Sequence, residues 1–390
     1  MVIQDFAFKE FVKNKEAFSE LEQLGLPSRK MEDYRHINCK ELFAQDYALA
    51  TSADGVSQSD FCQSFVDEGF YTLIVANGAI DEKKSNLPSG LTIQSAPKGN
   101  TKGKEENPLS LLGLALSQNH YAFQITKNLD KPLLVIYTFS NTDAFYAHQI
   151  DVEIAEGVQA KIVDVMAFAN ETQSYAVINK DFTVHKNAHL QYYKTGNTSD
   201  TNSTHINYEY HLLGGKLEAF YIENGLKQSV NNINVQIDAE NSEVDLFGVA
   251  TLDKHQLTAN TIKMCHNVKQ ASSNQNFKHI LDGNSHAIFN SKIVVEKNCS
   301  QTIAHQNTNT ILQSDDARIF NEPRMMIFTD ELEASHGASV GSLSEDALNY
   351  MALRGLSKTQ AEKMLLQAFK SEIIETIEDK QIREYIMNIK

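Results

Sequence analysis

The stretch that decides the fold starts with Ile150-Asp-Val-Glu-Ile-Ala-Glu-Gly157, and its pattern returns in Ile233-Asn-Val-Gln-Ile-Asp-Ala-Glu-Asn241. In both segments apolar residues alternate with polar ones, and the alternation ends at a residue pair that favours a turn. A period of two buries one face of a strand and exposes the other. This part of the chain is therefore predicted to consist of short β-strands that end in tight turns.

Turn-forming pairs recur through this region at nearly constant intervals. The second residues of successive pairs are separated by 30, 28, 26 and 29 positions. The pairs are Glu156-Gly157, Lys186-Asn187, Gly214-Gly215, Glu240-Asn241 and Lys269-Gln270. A repeat of this length is typical of solenoids, in which each repeat stacks on its neighbours to bury a shared core. The pattern favours a β-helix, and a β-sandwich with long hairpins is the alternative.

The N-terminal region has a different character. Apolar residues at helical spacing end at Gly25-Leu26-Pro27, and the later segment Tyr71–Ala76 is predicted to be a strand followed by a turn at Asn77-Gly78. The segment Lys98–Asn107 is charged and has no apolar residues, so it is predicted to be an exposed linker. We assign residues 1–105 to this region and residues 106–341 to the β-helix core.

The C-terminal residues 342–390 are predicted to form a small helical domain. Ser342-Leu-Ser-Glu345 fits a capping box before a helix over Glu345–Arg354, and Ser357-Lys-Thr-Gln360 fits a second one. The helix after the second box carries an apolar face of Ala361, Met364, Leu365, Ala368, Phe369, Ile373 and Ile377. The predicted fold class is therefore mainly β, with helical regions at both ends.

Composition excludes several functions. The 390 residues include 50 acidic and 35 basic ones, giving a formal charge of −15, which disfavours binding to nucleic acid and to anionic membranes. No run of 18 apolar residues predicts a spanning helix, and the first residues lack an apolar signal core, so we expect a cytoplasmic protein. The four cysteines are Cys39, Cys62, Cys265 and Cys299; none form a CxxC, and reduced thiols are expected.

Gly337-Ala-Ser-Val-Gly341 matches the GxSxG elbow of serine hydrolases. That fold places its histidine after the serine in the chain, whereas His336 is the last histidine here. The motif is therefore not expected to be catalytic. No GxxxxGK[ST] loop is present, so the chain is not expected to hydrolyse ATP. His336 is a competent iron ligand by chemistry, although its position alone favours a structural turn histidine.

Three segments together resemble the SufB/SufD family of iron–sulfur cluster assembly proteins. They are Gly25–Lys30 with Glu32–His36, in which Tyr34 takes the place of the family tryptophan; Lys131-Pro-Leu133; and the stretch Pro323–Phe369. The third segment contains Ser335-His-Gly-Ala-Ser-Val-Gly341 and Arg354-Gly-Leu356, and it is the most specific of the three.

The resemblance implies a right-handed parallel β-helix and a non-catalytic scaffold subunit. Such a subunit would pair with a SufB paralogue and bind the SufC ATPase through its C-terminal helices, here through Met364, Leu365, Ala368 and Phe369. It would bind no cofactor tightly by itself, and His336 would contact iron or a transient iron–sulfur cluster at the SufB interface. The family cysteine position is occupied by Ala334. Whether the chain forms a homodimer without SufB is left open.

Three rival functions stay open at this point. A β-helix enzyme acting on polysaccharides would need clustered carboxylates along one face. A SufB-like scaffold in its own right would need thiolates near His336, and the nearest cysteine in sequence is Cys299. A serine hydrolase is the weakest of the three because of the chain order at Ser339.

Overall fold

The computed structural model describes residues 9–37, 39, 43, 46–50, 59–97, 99, 101, 104, 106–141, 143–169 and 173–389. Its centre is a β-solenoid of about eight turns. The strands are β1 (Ala48–Leu49), β2 (Tyr71–Ala76), β3 (Ala79–Ile80), β4 (Leu91–Ser95), β5 (Asn119–Ile125), β6 (Leu133–Phe139), β7 (Ala144–Ile154), β8 (Gln159–Phe168), β9 (Ser174–Val184), β10 (His189–Gly196), β11 (Ser199–Leu212), β12 (Lys216–Glu223), β13 (Leu226–Ile237), β14 (Glu243–Leu252), β15 (Leu257–His266), β16 (Ser272–Leu281), β17 (His286–Val295), β18 (Thr302–Leu312), β19 (Arg318–Ile327) and β20 (Leu332–Gly341).

Two stacked sheets share these strands. The first sheet runs β19-β17-β15-β13-β11-β9-β7-β5-β4 with β1 beside β7, and the second runs β20-β18-β16-β14-β12-β10-β8-β6-β2-β3. Consecutive strands of the solenoid therefore lie in opposite sheets, and each pairs in parallel with the strand one coil away. Among the described strands, antiparallel pairing occurs only at β2–β3 and β4–β5. This topology confirms the predicted β-helix and excludes the sandwich of hairpins.

The predicted turns are also confirmed, with one shift. In four of the five pairs the second residue has a left-handed backbone, with φ values of 71° at Gly157, 57° at Asn187, 62° at Asn241 and 58° at Gln270. In the pair Gly214-Gly215 the left-handed residue is the first one, Gly214. Left-handed backbone favours glycine and asparagine, which explains why these residue types mark the repeat. The turns stack on each other, since the backbone N–H of Asn187 donates a hydrogen bond of 2.9 Å to the Gly214 carbonyl oxygen.

The interior of the solenoid is largely apolar and contains two buried ion pairs. Aromatic rings stack between coils, as in Phe182–Tyr210 at 4.8 Å between ring centroids. Lys180 pairs with Asp164, and Lys194 pairs with Glu223 at 2.6 Å. All four side chains are less than a twentieth exposed, so the pairs lie outside the reach of solvent screening.

The N-terminal residues cover the outer face of the first sheet. Helices α1 (Lys15–Leu24) and α3 (Pro108–Leu116) form here, with 3-10 turns at Lys9–Phe11 and Glu32–Tyr34. Helix α2 (Ser59–Gln63) lies elsewhere, since its Phe61 packs in the apolar cluster on the second sheet. Every residue of α3 is buried, and α1 packs with α3 and the first sheet in one apolar cluster.

The prediction of an exposed linker over Lys98–Asn107 is wrong at Thr101 and Lys104, which are both 6% exposed, whereas Glu106 is exposed as predicted. The Lys104 ammonium lies 2.6 Å from an Asp181 carboxylate oxygen, and this ion pair holds the segment against β9.

The C-terminal residues form α4 (Glu345–Leu353), α5 (Lys358–Ile374) and α6 (Lys380–Asn388). Ser344 caps α4, whereas Ser342 was the predicted cap; the second capping box, Ser357 with Gln360, is confirmed. Four isoleucines on α5, α6 and the link between them pack against the outer face of the second sheet: Ile373, Ile377, Ile382 and Ile386. Among the residues that the structure describes, no helix is long and apolar enough to span a bilayer.

Candidate partner and cluster interface

The last coil leaves two strand edges open. Strand β19 is hydrogen-bonded only to β17 and strand β20 only to β18 in the described sheets. Apolar side chains on this coil are exposed, with Met326, Ile327, Phe328 and Val340 between 41% and 51% accessible. Unpaired strand edges offer backbone donors and acceptors to another chain, and exposed apolar side chains favour burial against it. The coil therefore has the properties of a protein interface.

His336 lies on β20 inside this coil. It is in register with Gln306 of β18, a residue whose side chain faces the solenoid interior and is 2% exposed. Since successive coils stack in register, His336 occupies the interior-facing row together with Ala334 and Ala338. It is exposed nevertheless, because no further coil covers it. The imidazole makes no hydrogen bond or ion pair with any described residue, so its nitrogens are accessible to a ligand.

All four thiols are buried. Ala334, at the family cysteine position, pairs in register with Ala304 of β18. Cys299 is 1% exposed, its thiol contacts the His266 carbonyl at 3.3 Å, and burial raises its pKa. A buried thiol with a raised pKa is a poor metal ligand, which speaks against the SufB-like rival. Among the described residues there is no group of three or more His, Cys, Asp or Glu arranged to hold a metal ion.

Ser339 belongs to strand β20 and not to a strand-to-helix turn. Its hydroxyl donates a hydrogen bond of 2.6 Å to the Asn309 side-chain oxygen on β18. The nucleophile elbow requires a sharp turn that exposes the serine above a helix. The GxSxG match is therefore a strand segment of this fold, in agreement with the sequence argument.

The four residues predicted to bind SufC lie in the first part of α5 and differ in exposure. Met364 is 51% exposed and Ala368 is exposed, whereas Leu365 and Phe369 are half-buried. Phe369 is covered by its own chain, since the Lys278 ammonium lies 4.3 Å from its ring centroid. Two further apolar residues of α4 are exposed and were missed as candidates: Tyr350 at 58% and Leu353 at 88%. Their helical spacing of three residues was the available signal.

A row of carboxylates crosses the outer face of the first sheet, as the polysaccharide rival requires. Asp151, Asp181 and Glu209 are neighbours in register on β7, β9 and β11. Burial raises the pKa of Asp181, and it raises that of Glu209 to about 7. Intramolecular partners hold all three carboxylates: His120 for Asp151, Lys104 for Asp181 and Asn234 for Glu209.

The cavity beside this row has a volume of about 110 Å³, and the N-terminal side of its wall is formed by Asp33, Lys104, Glu106, Asn107 and Ser110. Drug-sized ligands occupy pockets of roughly 300–1,000 Å³. The N-terminal region therefore lies over Asp181 and Glu209, and the row does not line an open groove for a sugar chain.

The fold and the open coil define the class of protein: it is a β-solenoid subunit whose last coil and C-terminal helices expose surfaces suited to protein partners. Sequence comparison then identifies the family. The profile for the SUF system FeS cluster assembly SufBD core domain matches residues 137–369, and that for the SufBD protein N-terminal region matches residues 9–107. The chain belongs to the SufBD family of iron–sulfur cluster assembly proteins, as its sequence motifs indicated.

Named relatives agree along nearly the whole chain. The iron–sulfur cluster assembly protein SufD of Escherichia coli is 24% identical over 96% of this chain and 92% of its own length. An iron–sulfur cluster assembly SufBD family protein of Synechocystis is 23% identical over 92% of this chain and 85% of its own length. The SufD protein of Bacillus subtilis is 22% identical over 73% of this chain and 66% of its own length.

Proposed function

We propose that this chain is a non-catalytic, cytoplasmic scaffold subunit of an iron–sulfur cluster assembly complex. It pairs with a SufB-type paralogue through its last coil and binds a SufC-type ATPase through its C-terminal helices. The observation that carries the proposal is the open coil β19–β20, in which edge strands, exposed apolar side chains and His336 come together.

Pairing with a paralogue is supported by the shape of the interface. A paralogue with the same solenoid fold would offer edge strands of its own, and these would extend both sheets of this chain by backbone hydrogen bonds. Met326, Phe328 and Val340 would then lose their exposed apolar surface, which favours association. The same geometry also permits a homodimer when the paralogue is absent.

The cluster contact is assigned to His336, which is also the proposed metal ligand. An imidazole supplies one ligand through a neutral nitrogen, whereas iron–sulfur clusters take about four protein ligands. The remaining ligands, thiolates among them, would come from the paralogue across the interface, because Ala334 offers none. The cluster is then a transient product built at the junction and not a cofactor that this chain binds tightly by itself.

The ATPase surface is assigned to the hairpin of α4 and the first part of α5. The exposed side chains of Tyr350, Leu353 and Met364 form its apolar component. Large side chains that become buried at the centre of an interface, tyrosine among them, carry much of its binding energy. Leu365, Ala368 and Phe369 extend the same helix towards the solenoid.

The test is co-purification of the tagged chain with its SufB and SufC counterparts, using wild type, His336→Ala and the control His255→Ala. His255 is another exposed histidine, and it lies in a turn far along the chain from the last coil. We expect all three complexes to form and the yield of assembled cluster to fall only with His336→Ala.

Failure of the wild-type chain to recruit either partner would refute the proposed function. Equal cluster yields in both variants would leave the scaffold role standing and remove His336 from the site. Hydrolysis of an acidic polysaccharide by the purified chain would instead support the enzyme rival.

A further inference from the structure

A short piece of the N-terminal region, the crossing segment Glu32–His36, runs over the outer face of the first sheet to its last strand. The segment begins with a 3-10 turn. Its side chains contact β11 and β13 at one end and β17 and β19 at the other. Strands β13 and β19 are three positions apart in the sheet, which corresponds to roughly 14 Å. The crossing segment therefore ties the open coil to coils deeper in the solenoid.

Tyr34 anchors the crossing segment on the deeper coils. Its side chain is buried, and its hydroxyl donates a hydrogen bond of 2.8 Å to the Asn107 side-chain oxygen. The same hydroxyl accepts a hydrogen bond of 3.3 Å from the side-chain amide of Asn232 on β13. The Tyr34 ring is stacked with His205 of β11 at 6.0 Å between ring centroids. A buried tyrosine whose hydroxyl has such partners is firmly held, so this end of the crossing segment is fixed.

The other end of the crossing segment holds the edge strand β19. Phe320, Glu322 and Arg324 alternate along this strand and therefore share one face of it. The rings of His36 and Phe320 stack nearly parallel, with 3.9 Å between their centroids. Nε2 of the same imidazole lies 3.5 Å from a Glu322 carboxylate oxygen. His36 thus contacts two successive side chains of that face.

Arg324, the third residue of this face, belongs to a closed set of contacts. Its guanidinium forms an ion pair with Glu32 and donates a hydrogen bond of 2.6 Å to the Asn290 side-chain oxygen on β17. The Asn290 amide in turn donates a hydrogen bond of 3.1 Å to an Asp33 carboxylate oxygen. A guanidinium binds through a rigid planar fork. The contacts therefore fix the position of β19 relative to both β17 and the crossing segment.

The two edge strands of the last coil are held in different ways. On the outer face of β20 the printed partners come from its neighbour β18: Asn309 accepts from Ser339 at 2.6 Å, and His305 lies 2.7 Å from the Ser335 hydroxyl. Strand β19 has its neighbour β17 and the crossing segment as well. Edge strands have unpaired backbone groups and open easily. An edge that is already ordered loses less conformational freedom when another chain pairs with it.

We propose that the crossing segment Glu32–His36 is a positioning element for partner docking, which holds strand β19 ready for strand addition by the partner chain. The inference rests on the proposed pairing through the last coil, and it names the edge on which that pairing depends. It also gives the N-terminal sequence motif a function in partner binding, with Tyr34 as its anchor and His36 as its contact to β19.

The first test measures hydrogen exchange of backbone amides in the isolated full-length chain by mass spectrometry. His36→Ala removes the stacked ring, and aromatic pairs of this kind change an equilibrium by about 2- to 12-fold. We therefore expect the β19 amides to exchange faster by this factor and the β20 amides to exchange at the wild-type rate. His36→Phe keeps a ring against Phe320 and should restore slow exchange in β19.

The matched control is His255→Ala, which replaces an exposed histidine in a turn and should leave both edge strands unchanged. Wild-type exchange of β19 in His36→Ala would overturn the inference. An equal increase of exchange in β19 and β20 would overturn it as well, because it would indicate general loosening of the coil.

The second test measures the affinity of the same variants for the SufB counterpart. Loss of the ordered edge adds an ordering cost to binding, so we expect His36→Ala to weaken the Kd by up to about 12-fold and His36→Phe to restore it. A wild-type Kd in His36→Ala, together with faster β19 exchange, would overturn the role of the crossing segment in docking. Failure of the wild-type chain to bind would instead refute the proposed pairing, a result that is distinct from the exchange measured on the isolated chain.

Discussion

Removing the buried cation Lys180 from the solenoid interior should destabilise the protein strongly. The Lys180 ammonium pairs with Asp164 and donates to the Tyr137 hydroxyl at 2.8 Å, and both charged side chains are 2% exposed. In Lys180→Met the side chain keeps its length, so the cavity term is small. Asp164 keeps one donor, the Tyr192 hydroxyl at 2.5 Å, but loses its counter-charge.

The expected loss follows from that arrangement. Breaking one side of a buried ion pair costs about 3–5 kcal/mol, because the remaining charge stays buried without compensation. An exposed pair loses roughly 1 kcal/mol or less. The matched control is therefore Lys269→Met, since Lys269 and Glu240 are 3.5 Å apart and about half exposed. Urea unfolding followed by circular dichroism gives both free energies of unfolding.

A double variant tests whether the loss of stability comes from the unpaired charge of Asp164. Replacing both partners, as Lys180→Met with Asp164→Leu, removes the unpaired charge, and such replacements are often neutral or stabilising. We expect the double variant to recover most of the stability lost in the single one. A single variant within about 1 kcal/mol of wild type, or a double variant as unstable as the single, would refute the account.

Two further predictions concern stability. Burial lowers the pKa of His148 and His279 to about 4, whereas histidine in the unfolded chain has a pKa near 6.5. Between these two pH values the unfolded state binds more protons than the folded state. The free energy of unfolding therefore falls as the pH is lowered through this range. The expected loss in the free energy of unfolding is roughly 1.4 kcal/mol per histidine at about pH 5.5. The variant His148→Phe should therefore show a weaker dependence of the free energy of unfolding on pH. A dependence parallel to that of wild type would contradict this account. Gly248→Ala should lower the free energy of unfolding by about 1–3 kcal/mol, because the added methyl carbon would lie 2.1 Å from a carbon of the Phe277 ring. The control Gly341→Ala should change thermal stability little, because no atom lies within 4 Å of its added methyl carbon. Equal melting temperatures for the two alanine variants would show that the Phe277 ring moves aside freely.

The local features of the solenoid were predictable from sequence because they rest on short-range physics. Period-two alternation marked the strands, and glycine or asparagine at left-handed turns marked the repeat. Ser357 with Gln360 predicted a cap that the backbone forms. The linker around Lys104 was predicted wrongly, because its burial depends on Asp181, a residue 77 positions away in the chain.

The candidate site likewise combines features that the sequence predicts with features that depend on the tertiary structure. The sequence alone determined the strand-and-turn repeat, the helical C-terminus and, through the motif around His336, the family. Only the tertiary structure decided that consecutive strands alternate between two parallel sheets, that β20 ends one of them, and that His336 is in register with Gln306. The physical reason is register: which residues become neighbours depends on how coils stack, and each such pair is separated by about one full repeat, beyond the range over which local pattern carries information.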